Sequence, residues 1–151
     1  MRISAKADYA LRAALELAVA GEGPVKADAI AQAQGIPAKF LDNILGELRH
    51  AGIAESTRGA QGGWRLAQPP DRIAVADVVR AVEGPLANIR GHLPEETAYE
   101  GAARDLREVW IALRASMRDV LERTTLADVA GGRLPEHVTG LAASPDARRA
   151  R

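Results

Sequence analysis

A chain of 151 residues is sized for one domain with room for an appended helical element. Its 20 basic and 20 acidic residues cancel, so net charge supplies no general pull toward nucleic acid. Aromatics at 3% weigh against an all-β sandwich and against a stacking platform for single strands, and the absence of cysteine excludes disulfides, thiolate metal sites and cysteine-ligated clusters.

The hydrophobic fraction of 47% is enough for a core, and because much of it is alanine, close helix–helix packing is expected. The opening MRISAKADY lacks the apolar centre of a signal peptide, and no apolar run is long enough to span a bilayer, so a cytoplasmic protein without a membrane partner is expected. Ser4 is placed to cap a helix over Ala5–Ala20, with Leu11, Ala14, Leu15 and Ala18 on its core face. A short helix is predicted over Ala27–Gln34, closed by Gly35 and facing inward through Ala27, Ile30 and Ala31. Pro37 then opens a third helix that runs to about His50. Its apolar stripe is Phe40, Leu41, Ile44, Leu45 and Leu48, opposite Lys39, Asp42, Asn43, Glu47 and His50. Only a tight turn separates the second helix from the third, the spacing of a helix-turn-helix.

Ile53–Thr57 and Trp64–Ala67 are predicted to pair as strands around the glycine-rich tip RGAQGG, ended by Pro69 and Pro70. A fourth helix is predicted over Val75–Val82, with Val75, Val78, Val79 and Val82 on one side. Residues 84–101 read as irregular. A long helix is expected over Ala102–Arg123, where Leu106, Trp110, Leu113, Met117 and Val120 form a heptad-like seam. Thr125 and Asp128 have capping-box spacing, and the glycine-, proline- and charge-rich stretch 131–151 reads as a flexible tail. The fold class expected is therefore mainly α: a winged helix-turn-helix with a two-stranded wing and a long C-terminal dimerisation helix.

A helix that enters a major groove meets a distinct donor and acceptor pattern at each base pair. Asn43 can bond adenine twice, Asp42 can accept from the cytosine amino group, and Lys39 can reach phosphate or guanine; a solvated polar face accounts for the same residues. Arg58, at the start of the glycine-rich tip, is suited to a narrow minor groove, with Gln61 beside it. Lys6, Tyr9 and Lys26 could position the phosphate backbone. Trp64 is expected to pack at the wing base rather than to stack on a base. His50, His92 and His137 lack metal-ligand spacing, the acidic run Glu95, Glu96 and Glu100 reads as a solvated loop, and no catalytic constellation is present, so neither an enzyme nor a cofactor is expected.

Together the N-terminal MRISAKADYALRAALELA, the segment GIPAKFLDNILGELRHAGI, the wing RGAQGGWRLAQPPDRIAVADVVRAVEGP and the closing TTLADVA resemble the Rrf2 family of bacterial transcription regulators across about residues 1–130. The resemblance implies a DNA-binding domain at 1–83, a connecting segment at 84–101 and a dimerisation helix at 102–130, assembled as a homodimer on a near-palindromic operator, with repression the expected outcome. By matching position, Arg58 with Gly59 takes the minor-groove place, Asp42 an acidic place on the recognition helix and Phe40 an aromatic one. Pro37, Ala38 and Lys39 stand where many members carry serines. Cluster-binding members place three cysteines in the segment that reads LANIRGHLPEETAYEGAARD here, so the chain is similar to cluster-free members, and its closing TTLADVAGGRLPEHV resembles actinobacterial ones. An effector, if one exists, is expected near Ile89, His92, Tyr99 and Trp110. Two other readings stay open: a winged-helix protein-interaction module, and a small-molecule-binding protein that uses the 86–110 region.

Overall fold

The computed structural model describes residues 2–149. It is helical, with one small antiparallel sheet. Helix α1 (Ala5–Ala20) is the hub, touching α2 (Ala27–Gln34), α3 (Ala38–His50), α4 (Val75–Glu83) and α6 (Leu126–Ala130). Ser4 caps α1 as expected, its Oγ accepting from the Ala7 amide at 3.0 Å. The deepest face of α1 differs from the expected one. Ala7, Ala10, Ala13, Ala14 and Leu17 are buried, whereas Leu11, Leu15 and Ala18 pack around the edge. The alanines let neighbouring helices approach the α1 axis, and the leucines fill the flanks. Leu17 is fully buried, and truncating it to alanine would cost about 3 kcal/mol.

Helix α2 ends as expected at Gly35, which sits in the left-handed region with φ 61° and ψ 37°. The Ile36 amide donates back to the Ala31 carbonyl at 3.0 Å, which drops Ile36 into the core and turns the chain directly into α3. Pro37 is the residue before the first turn of α3, one place earlier than expected. Leu41, Ile44, Leu45 and Leu48 are buried. Phe40, expected on that stripe, is 49% exposed, because its place on the helix lies beyond the core edge, against Tyr9.

Strands β1 (Ala54–Thr57) and β2 (Gly63–Leu66) pair in the register Ala54 with Leu66 and Thr57 with Gly63. β1 begins one residue later than expected, since the Ile53 amide is bonded back to the Leu48 carbonyl of α3, and β2 is shifted one residue toward the tip. Val25 adds a third short rung. Its amide donates to the Trp64 carbonyl at 2.7 Å, and the Trp64 amide donates back at 2.8 Å. This rung admits no side chain at Gly63, where a Cβ would lie 2.7 Å from the Val25 carbonyl oxygen.

On α4 the buried residues are Ala76, Val78 and Val82, while Val75 and Val79 are only partly covered, so the expected all-valine face is rotated. The Thr125 capping box is formed as expected: its Oγ1 accepts from the Asp128 amide and the Thr125 amide donates to Asp128 Oδ2 at 2.8 Å. These bonds seat Leu126 in the core, and the Leu126 amide donates to the Ile73 carbonyl at 2.9 Å.

Helix α5 spans Leu106–Leu121 and is shorter than expected at both ends. Residues 101–103 form a tight 3-10 turn started by Gly101 at φ 57°. At the other end the chain bends at Thr124, whose hydroxyl donates to the Val120 carbonyl at 2.7 Å. The expected flexible tail instead contains helix α7 (Glu136–Ala143) and a 3-10 turn over Pro145–Arg148. The cause is a reversal at Gly131 and Gly132, after which His137 Nε2 lies 3.1 Å from the Asp119 carbonyl of α5. Ala150 and Arg151, the last residues of that expected tail, lie outside the described residues.

Candidate nucleic-acid interface

Helix α3 and the wing leave the core on adjoining stretches of chain, so the residues between their buried faces are presented outward. Lys39, Asp42 and Asn43 are exposed on α3. Phe40, Asp42 and Asn43 line a shallow cleft together with Lys6, Glu47 and His50. Lys6 is not a free cation: its Nζ pairs with Glu47 Oε2 at 2.8 Å and so bridges α1 to α3. Tyr9 is held between two groups, edge-on to Phe40 with ring centroids 6.0 Å apart and under the Arg12 guanidinium at 5.2 Å. Arg12 is in turn fixed by Asp8 at 3.0 Å and by Gln34 at 3.2 Å, so the phenol sits where α1, α2 and α3 converge.

The wing is anchored along its length. On β2, one residue from the tip end, Trp64 has Arg49 5.7 Å over its ring, a cation–π contact that holds the indole against α3. Glu55 and Arg65 pair across the strands at 2.6 Å. At its tip Lys26 Nζ donates to the Gly59 carbonyl at 3.1 Å. Gly62 is pressed against the other arm of the turn, where a Cβ would lie 2.0 Å from the Thr57 carbonyl oxygen. Arg58, Gly59 and Gln61 are exposed on this tip. Among the described residues neither Arg58 nor Lys39 makes an ion pair. Sequence reading missed the Arg49–Trp64 contact and the Lys26 tether, because each joins residues far apart in the chain.

A family model described as "Iron-dependent Transcriptional regulator", Rrf2, matches residues 3–132. The chain belongs to the Rrf2 family. The protein named HTH-type transcriptional regulator Rv1287 in Mycobacterium tuberculosis is 54% identical over 143 residues, covering 94% of this chain and 89% of the relative. The solved structure of CymR, titled the global cysteine regulator of B. subtilis, is 36% identical at a TM-score of 0.74, covering 87% of this chain and 98% of that one. That of T. potens IscR is 32% identical at 0.72, covering 100% and 93%. The fold is thus the winged helix of an Rrf2 transcriptional regulator.

The family's description names iron, and the residues of this member do not fit a thiolate-held cluster. The chain has no cysteine, and segment 84–101 offers His92, Glu95, Glu96 and Glu100 in its place. Among the described residues no three His, Asp or Glu side chains are gathered as a metal site. His92 and Glu96 are exposed and 3.9 Å apart, and Glu95 is taken up by Arg114 at 2.6 Å.

The other expected site residues lie on this second region. Leu106, Trp110, Leu113 and Met117 line one groove with Ile89 and Tyr99, whereas Val120 and His92 are outside it. His92 is instead bonded through its backbone to Ile89, at 2.8 and 3.0 Å. Helix α5 has no buried residue; besides its apolar side of the groove, it is tied to the rest of the chain by ion pairs from Arg114 to Glu95 and, at its C-cap, from Glu122 to Arg80. The Glu122 carboxyl is held below the usual glutamate value by the hydrogen bonds from Arg80 and Arg118. Among the described residues no helix is long and apolar enough to cross a membrane.

Proposed function

We propose that this Rrf2 member acts as a homodimer that binds a near-palindromic duplex operator and represses transcription without an iron–sulfur cluster. The observation that carries the reading is Arg58: exposed and, among the described residues, without an ion pair, on a wing pinned by Val25 through Trp64 and by Lys26 at its tip. Anchoring of this kind lowers the ordering cost of placing a guanidinium in a minor groove. Lys39, Asp42 and Asn43 on the exposed face of α3 supply groups for the major groove, and Phe40 with Tyr9 and Lys6 sets that helix against α1. Gln61 adds a neutral donor at the wing tip. The half-exposed apolar seam of α5, from Leu106 to Val120, supports pairing with a second copy. Two wings and two α3 helices on one two-fold axis would match a palindromic site.

The test is duplex-DNA affinity across a salt series. Binding should weaken steadily as salt rises, with log affinity falling by about 0.9 per decade of salt for each phosphate neutralised. A flat response with no complex would favour the protein-interaction module.

A further inference from the structure

Phe40 stands in the first turn of α3 and is 49% exposed. Of the large apolar side chains exposed among the described residues, it is the one that α3 carries. Its neighbours on the outward side of that helix, Lys39, Asp42 and Asn43, are all polar. The ring is held. Tyr9 meets it edge-on with centroids 6.0 Å apart, and Tyr9 is itself covered by Arg12, which Asp8 and Gln34 fix in place. These contacts tie the ring to α1 and α2, so little side-chain freedom is left to lose when something packs on its open side. Phe40 lines the same shallow cleft as Asp42 and Asn43.

Lys39, Asp42 and Asn43 can exchange hydrogen bonds with base edges, whereas a phenyl ring offers none. In the major groove a base pair shows one apolar group, the C5-methyl of thymine. We propose that Phe40 packs against a thymine methyl and so selects a T·A pair in each half of the operator. Asn43 follows Phe40 by three residues, so the two side chains are helix neighbours about 5–6 Å apart at their Cβ atoms. Bases along one strand rise about 3.4 Å each, which sets the thymine within about two base pairs of an adenine bonded by Asn43. A cytosine in that place lacks the methyl and brings an amino donor to a ring with no acceptor. The contact rests on the DNA-binding reading above and adds to it the base and the group that Phe40 recognises.

Deoxyuridine differs from thymidine by that methyl alone. The test is fluorescence anisotropy of the full chain at fixed salt, on a bound duplex recovered by genome-wide mapping, with each thymine replaced in turn by deoxyuridine. The parent should lose about fourfold in affinity at one thymine of a half-site, and about fifteenfold when its symmetry mate is replaced as well, the worth of a buried methyl. Phe40→Ala should bind the natural duplex more weakly and treat the two bases alike at that place. Replacing the nearby adenine by 7-deazaadenine, which removes an acceptor of the Asn43 amide, should weaken Phe40→Ala as much as the parent. A side chain that only seated α3 would blunt both responses when removed.

A parent indifferent to every deoxyuridine would overturn the contact. So would a Phe40→Ala protein that keeps the thymine preference, or one that loses the adenine response as well. Should Phe40→Ala bind too weakly to measure, Phe40→Leu decides: a reduced thymine preference supports the contact and an unchanged one overturns it. Failure of the parent to bind any duplex would sink the DNA reading and the contact together, whereas binding without a methyl response would sink the contact alone.

Discussion

The Nζ of Lys26 donates to the carbonyl of Gly59 at 3.1 Å, so the first turn of the helix-turn-helix holds the tip of the wing. Lys26 therefore braces the wing tip. Lys26→Met should weaken operator binding about three- to tenfold while changing stability by no more than about 0.5 kcal/mol, as expected for an exposed side chain. Paired melting curves and gel shifts check this. An unaltered gel shift would show that the wing keeps its pose without the tether.

Gly62 should tolerate no side chain. A methyl group there would meet the Thr57 carbonyl oxygen at 2.0 Å, and backbone on both arms of a tight turn cannot yield cheaply. Gly62→Ala is expected to cost about 2 kcal/mol and to weaken DNA binding by displacing the wing tip. Denaturant unfolding supplies the first number and gel shift the second.

Leu113 lies on α5 outside the buried core that α1 organises. Leu113→Asp should therefore give a monomer by light scattering while the winged helix still melts cooperatively. A dimer of normal mass would place the contact between copies elsewhere.

Glu122 links α5 to α4 through Arg80 and is also bonded by Arg118. These hydrogen bonds depress its folded-state pKa below the ordinary glutamate value of 4.5, so its stabilising contribution is fully present above that value and is lost as the pH falls through the folded one. Because the pair is solvent-accessible, Arg80→Ala should lower Tm near neutral pH by no more than a few degrees, and the gap from the parent should close on acidification below 4.5. A gap that persists in acid would assign the effect of Arg80 to packing.

Where a single residue carries a strong local preference, the fold was legible. Ser4, Gly35 and the Thr125–Asp128 pair mark helix ends through bonds spanning at most five residues, and α1 begins, α2 ends and α6 begins where they indicate. Where tertiary contacts decide, reading along the chain erred. Phe40 fits the apolar period of α3 but faces Tyr9 outside the core, and the glycine- and proline-rich end forms α7 because a reversal brings His137 to α5. The same division applies to the candidate interface. Arg58 stands out because it opens a glycine-rich turn. The Lys26–Gly59 bond and the Arg49–Trp64 contact have no signature in the chain, since folding alone brings them together.

If Arg58 reads DNA from a pre-set wing, Arg58→Ala must bind a target duplex more weakly than the parent at fixed salt. The target is a duplex recovered by genome-wide mapping of bound DNA. The expected result is a loss of about ten- to hundredfold in affinity with an unchanged melting temperature. Equal affinity of the two proteins for that duplex would contradict the account.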